Sequence, residues 1–74
     1  MRNKIKLILA NINKNVILSN LTALKQALEE DGQLLLSGLL VADEREIDDA
    51  CTRLNLELVE KMDYNNWISL LYKI

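Results

Sequence analysis

Asn11 and Asn13 stand where an apolar run gives way to a helical pattern, and that placement is the chemical signal of this chain. The stretch KIKLILANIN covers residues 4–13, with Ile5, Leu7, Ile8 and Leu9 apolar almost without a break. A run of this kind that feeds a helix through a short polar turn reads as a buried parallel strand. Open α/β sheets bind ligands outside the carboxyl ends of such strands, where Asn11 falls. A local reading competes with this one. Asn11 would then only shape the turn, and Asn13 or Asn15 would cap the helix that follows.

The other polar or reactive residues have plainer readings. Ser37-Gly38 interrupts a second apolar run, and a glycine inside a strand marks a bulge or a close backbone approach. Cys51 is the sole cysteine and lies on an apolar helical stripe, so it reads as core. Trp67 reads as a core anchor of a hairpin. Asp43, Glu44, Glu46, Asp48 and Asp49 have the spacing of a solvated helix face rather than of a cation site. The chain has no histidine, which excludes every His-dependent triad or general base and the usual metal ligands within it. No metal site is expected.

Composition narrows the classes further. The chain has 74 residues, half of them hydrophobic, enough for one small domain with its own core. A net charge of −2 and a pI near 5.0 give no basic surface for nucleic acid or an acidic membrane. Arg2, Lys4 and Lys6 form the one basic cluster. A signal peptide could begin that way, but the apolar run stops at Asn11 and no secreted pattern follows, so the chain reads as cytoplasmic. No run reaches the ~18 apolar residues of a membrane span.

The elements that must position these residues follow from periodicity. A first strand is predicted over Lys4–Leu9. Ile17, Leu21, Leu24 and Leu28 then make one stripe of a helix over Asn15–Glu30, stopped by Asp31-Gly32 with Gly32 in the left-handed conformation. Gln33–Leu40 is a second buried strand. A second helix starts at Asp43, with Glu46 at capping-box spacing and Ile47, Ala50, Cys51 and Leu54 as its buried stripe. Asn55 is its left-handed stop. Leu56–Met62, broken by Glu57, Glu60 and Lys61, suits a sheet edge. Asp63–Asn66 is the turn into Trp67–Tyr72, which lies further inside. The first two strands are expected to be parallel and the last two an antiparallel hairpin.

This order resembles the C-terminal half of a class I S-adenosylmethionine-dependent methyltransferase, of the PrmA type that methylates large-subunit ribosomal protein eleven. LANIN at 9–13, DGQLLLSGLL at 31–40 and NNWISLLYK at 65–73 carry the likeness, which covers nearly the whole chain. It implies an α/β partial Rossmann-like fold: a four-stranded mixed sheet in the order first, second, fourth, third. Residues 1–74 would then be a single domain equivalent to half of the methyltransferase domain. Asn11 would be the catalytic residue beside the methyl donor and the incoming amine, with Asn13 and Ser37 on the substrate side.

The departures from the family matter as much. The family holds S-adenosylmethionine on its first three strands, through a Gly-rich turn and an acidic residue for the ribose. This chain has only Gly32 and Gly38, each isolated, so no cofactor binding is expected from it alone. It looks like half of an enzyme: a truncated product, a remnant or an expressed fragment, inactive without the other half. Lys6 replaces the acidic or apolar residue usual in the family, and Lys4 and Lys6 alternating with Ile5 and Leu7 suit a half-exposed strand. The alternative is a small noncatalytic interaction domain that self-associates or pairs through its first strand. A protein substrate is the partner that the resemblance implies.

Overall fold

The computed structural model describes residues 5–74. Strand β1 (Ile5–Asn11) leads through Ile12-Asn13 into helix α1 (Lys14–Ala27). Strand β2 (Leu28–Leu40), a 3-10 turn at Val41–Asp43 and helix α2 (Glu44–Arg53) come next, then strands β3 (Glu57–Tyr64) and β4 (Trp67–Lys73). The sheet order is β1-β2-β4-β3, as expected: β1 runs parallel to β2, while β4 lies antiparallel between β2 and β3.

The register explains which side chains form the core. Leu34 lies between Ile8 and Tyr72, and Leu36 between Ala10 and Leu70. These residues share one face with Leu39 and Ile68, because successive strand residues alternate sides. Ile17 and Leu21 of α1, and Ile47 and Cys51 of α2, pack onto that face. Both helices therefore cover the same side of the sheet. The other side is open and carries Ile5, Leu7, Leu9 and Met62, each 48–67 % exposed. An open groove of about 270 Å³ crosses it between Leu7, Leu35, Met62 and Leu71.

The expected buried first strand is thus corrected: β1 is an edge strand with its odd-numbered residues exposed. The half-exposed reading drawn from Lys6 is the one that holds, while Lys4 lies outside the described residues. β1 also runs two residues beyond Leu9, so Asn11 is its last residue rather than part of the turn.

Helix α1 ends at Ala27, three residues before the predicted end at Glu30. Leu28 already has extended geometry, and its side chain is buried at the start of β2. The register shows why: while β1 advances from Ile5 to Leu7, β2 advances from Leu28 to Gln33. The acidic stretch Glu29-Glu30-Asp31 is accommodated in that irregularity. Gly32 is buried in β2 instead of serving as a left-handed helix stop. A Cβ on it would lie 3.0 Å from both the Glu29 carbonyl oxygen and the Leu28 side chain, so close approach accounts for this glycine.

Other local expectations divide. Asn55 takes φ 63 after α2, as a left-handed stop should. The capping box does not form: the Asp43 carboxylate instead accepts the Leu40 N–H at 3.2 Å, and Glu46 turns to Lys14 at 2.9 Å. The hairpin turn contracts to Asn65-Asn66, with φ 48 and 70. Positive φ at both central residues is what a type I′ hairpin demands, and Asn tolerates it. That tight turn pairs Tyr64 with Trp67 and sends Ile68, Leu70 and Tyr72 inward. Trp67 must then face away from the helices, and it is 52 % exposed rather than a core anchor.

Candidate functional site at the carboxyl edge of the sheet

Parallel pairing brings the carboxyl ends of β1 and β2 to one edge of the sheet. Asn11 is the direct partner of Ser37 there. Both follow Leu9 and Leu35 by two residues, which puts them on the open face at its polar end. Asn11 is exposed and Ser37 half-buried.

Gly38 completes this corner. The β2–β4 register slips between Leu36 and Leu39, and Gly38 takes φ 75 inside that bulge. Its bare Cα faces the Asn11 amide so closely that a Cβ would run into Oδ1 of Asn11. The bulge expected at Ser37-Gly38 is present, and it abuts the candidate site residue.

Asn13 has a different geometry. It is the N-cap of α1, with φ −73 and ψ 163, and its Oδ1 accepts the Val16 N–H at 3.0 Å. Its carbonyl accepts the Ile17 N–H at 3.1 Å. The side chain is therefore engaged in fixing how the chain leaves Asn11. Lys14 follows and carries a positive charge into the first turn of α1, where the helix dipole is unfavourable. Glu46 and Asp43 answer it at 2.9 and 3.9 Å, and the Glu46 partnership raises the Lys14 pKa.

Two more of the acids of α2 are engaged in the same way, while Asp49 stays on the solvated face. Glu44 binds Lys61 at 3.0 Å, and Asp48 accepts the Tyr72 hydroxyl at 2.6 Å. Among the described residues, no three acids or thiols are grouped to hold a metal. Tyr72 of β4 and Cys51 of α2 are fully buried beside each other between the helix and the sheet. Burial pushes the Cys51 thiol up to about 12, and burial followed by the bond to Asp48 raises Tyr72 as well.

Sequence reasoning missed two aromatics at this edge. Tyr64 and Trp67 are 77 and 52 % exposed and face each other across the hairpin. They flank a shallow groove of about 150 Å³ whose wall includes Gly38, Asp63 and Ser69. Parity counted outward from an Asn-Asn type I′ turn was the available signal.

A β1–α1–β2 unit whose sheet is closed by an antiparallel strand inserted before the hairpin's first strand defines a Rossmann-like methyltransferase half-sheet. The sequence model described as Ribosomal protein L11 methyltransferase (PrmA) matches residues 1–74, and the chain belongs to that family. Two relatives named Ribosomal protein L11 methyltransferase, from Porphyromonas gingivalis and Campylobacter concisus, are 39 % and 40 % identical over 64 and 73 residues. The matches take in 86 % and 99 % of this chain but only 22 % and 26 % of the relatives. The crystal structure of a ribosomal protein L11 methylase from Lactobacillus delbrueckii subsp. bulgaricus superposes with a TM-score of 0.89 at 32 % identity. That match covers 93 % of this chain and 36 % of the other. The chain thus spans about a quarter of the length of the curated relatives it matches.

The family's name implies a methyl donor, and the described residues do not form a complete site for one. Of the two glycines, Gly32 is buried in β2 and Gly38 sits in its bulge, so no glycine-rich nucleoside cradle can be assembled from them.

Proposed function

We propose that this chain is the substrate side of an S-adenosylmethionine-dependent protein N-methyltransferase that acts on a ribosomal protein. The cofactor is held by the cofactor-binding half of the fold, and this half alone is inactive. The observation that carries this reading is the pairing of Asn11 with Ser37 at the carboxyl edge of a family sheet. Methyl transfer to nitrogen is an in-line displacement on a sulfonium methyl group, so positioning supplies much of the rate. Asn11 is suited to that work: its side-chain carbonyl accepts an N–H of the incoming amine and holds the nitrogen in one orientation. Ser37 and Asn13 flank it on the substrate side, Asn13 also as the cap that sets the turn. A ribosomal substrate implies a cytoplasmic reaction.

Two measurements test this. Titration calorimetry of the chain alone with S-adenosylmethionine should show no binding tighter than about 100 μM, roughly −5.5 kcal/mol. Mixed with a matching cofactor-binding half and a ribosomal protein substrate, the chain should restore methyl transfer, and Asn11→Ala should abolish it. Full turnover by the Ala variant would defeat the assignment of Asn11.

A further inference from the structure

Gly38 departs from its strand in two linked ways. It holds φ 75, a left-handed backbone inside an otherwise extended element, and it breaks the register with β4. Neither is required to pair β2 with β1, whose register runs unbroken from Leu7↔Gln33 to Asn11↔Ser37. The bulge has one visible consequence on the β1 side: it turns a bare Cα toward the Asn11 amide, in space that a side chain would fill. On its other side Gly38 lines the groove beside Tyr64 and Trp67.

We propose that Gly38 is a positioning residue for Asn11. The missing side chain is the slot in which the Asn11 amide lies, and the bulge sets its orientation at the sheet edge. Asn11 is exposed and ends its strand, so little else restrains its rotamer. Without the slot, the amide would swing away from β2 and sample several orientations, as exposed side chains do. With it, one orientation is favoured before any substrate arrives. The functional meaning rests on the reading of Asn11 given above, whereas the geometry does not.

Nuclear magnetic resonance on the chain itself separates the two. In the natural sequence, the Asn11 side-chain NH2 and β protons should show nuclear Overhauser contacts to the Gly38 α protons. The Asn11 χ1 couplings should report one dominant rotamer. Gly38→Asn keeps a residue that tolerates the left-handed backbone but restores a Cβ. The fold should survive, those contacts should vanish and the χ1 couplings should move toward averaged values. Gly38→Ala adds backbone strain to the same intrusion and serves as the second variant. Averaged Asn11 couplings already in the natural sequence would overturn the proposal, without need of any variant. So would unchanged Asn11 signals in a folded Gly38→Asn chain. A confirmed slot together with an active Asn11→Ala enzyme would leave this geometry standing and remove the catalytic reading alone.

Discussion

At the scale of single residues, Asn11 and Tyr72 make opposite predictions. Asn11 is exposed, so Asn11→Ala should cost under about 1 kcal/mol in urea denaturation. A loss above about 2 kcal/mol would mean a buried structural bond instead. Tyr72 is fully buried and donates to Asp48, so Tyr72→Phe should cost about 1–2 kcal/mol by stranding that carboxylate. The same corner governs the alkaline limit. Cys51 and Tyr72 both have folded-state pKa values above their ordinary ones, so the folded chain keeps protons that the unfolded chain loses. Their contribution is intact below the ordinary thiol value of ~8.5 and is lost as pH rises from there through about 12. The slope should approach about 1.4 kcal/mol per pH unit for each group that ionises only on unfolding. Lys14 and Lys61, raised by their Glu partners, push the same way at higher pH. Denaturation midpoints should therefore fall steeply between pH 8.5 and 11, and Cys51→Ala should remove the earlier part of that fall.

At the scale of elements, the turn after β1 is held by one side chain. Asn13→Ala removes the acceptor for the Val16 N–H and should cost about 1 kcal/mol, measurable as a shift in the thermal midpoint. The order of elements, the parallel first pair, the hairpin and the edge shared by Asn11 and Ser37 were legible in the chain, because apolar runs and helical stripes report burial directly, whereas the place of β4 between β2 and β3 came only from the family resemblance. Three things were not. The end of α1 was hidden because Leu28 fits both a helical stripe and a buried strand, and only the pairing of Ile5 with Leu28 decides between them. Trp67 was misplaced because its hydrophobicity suggested the core, while hairpin parity, set by two residues of turn, put it outside. The exposure of β1 was masked because the nearly unbroken run Leu7-Ile8-Leu9 reads as buried on both faces, and only Lys6 pointed to an uncovered one. Gly38 was read as a bulge, but its apposition to Asn11 needs three dimensions, since the two residues are distant in sequence.

At the scale of the whole molecule, two helices cover one face of the sheet and leave the other apolar. Ile5, Leu7 and Leu9 lie on that face along the edge strand. An apolar edge strand invites pairing with another chain. We expect self-association in solution, visible by sedimentation as a dimer or larger species. Leu7→Lys with Leu9→Lys should shift the population toward monomer without unfolding it, since both side chains are exposed. A clean monomer of the natural sequence at millimolar concentration, with fast-exchanging amides from Ile5 to Leu9, would refute the expectation. Finally, the place of β4 has a consequence for how the molecule comes into being. It is hydrogen-bonded to both β2 and β3, while those two strands are not hydrogen-bonded to each other. During translation β1, α1 and β2 can assemble as they emerge, but β3 has no strand to pair with until residues 67–73 have been made. The sheet is therefore joined from its middle last, and a nascent chain stalled before Trp67 would hold β3 only as an unpaired segment.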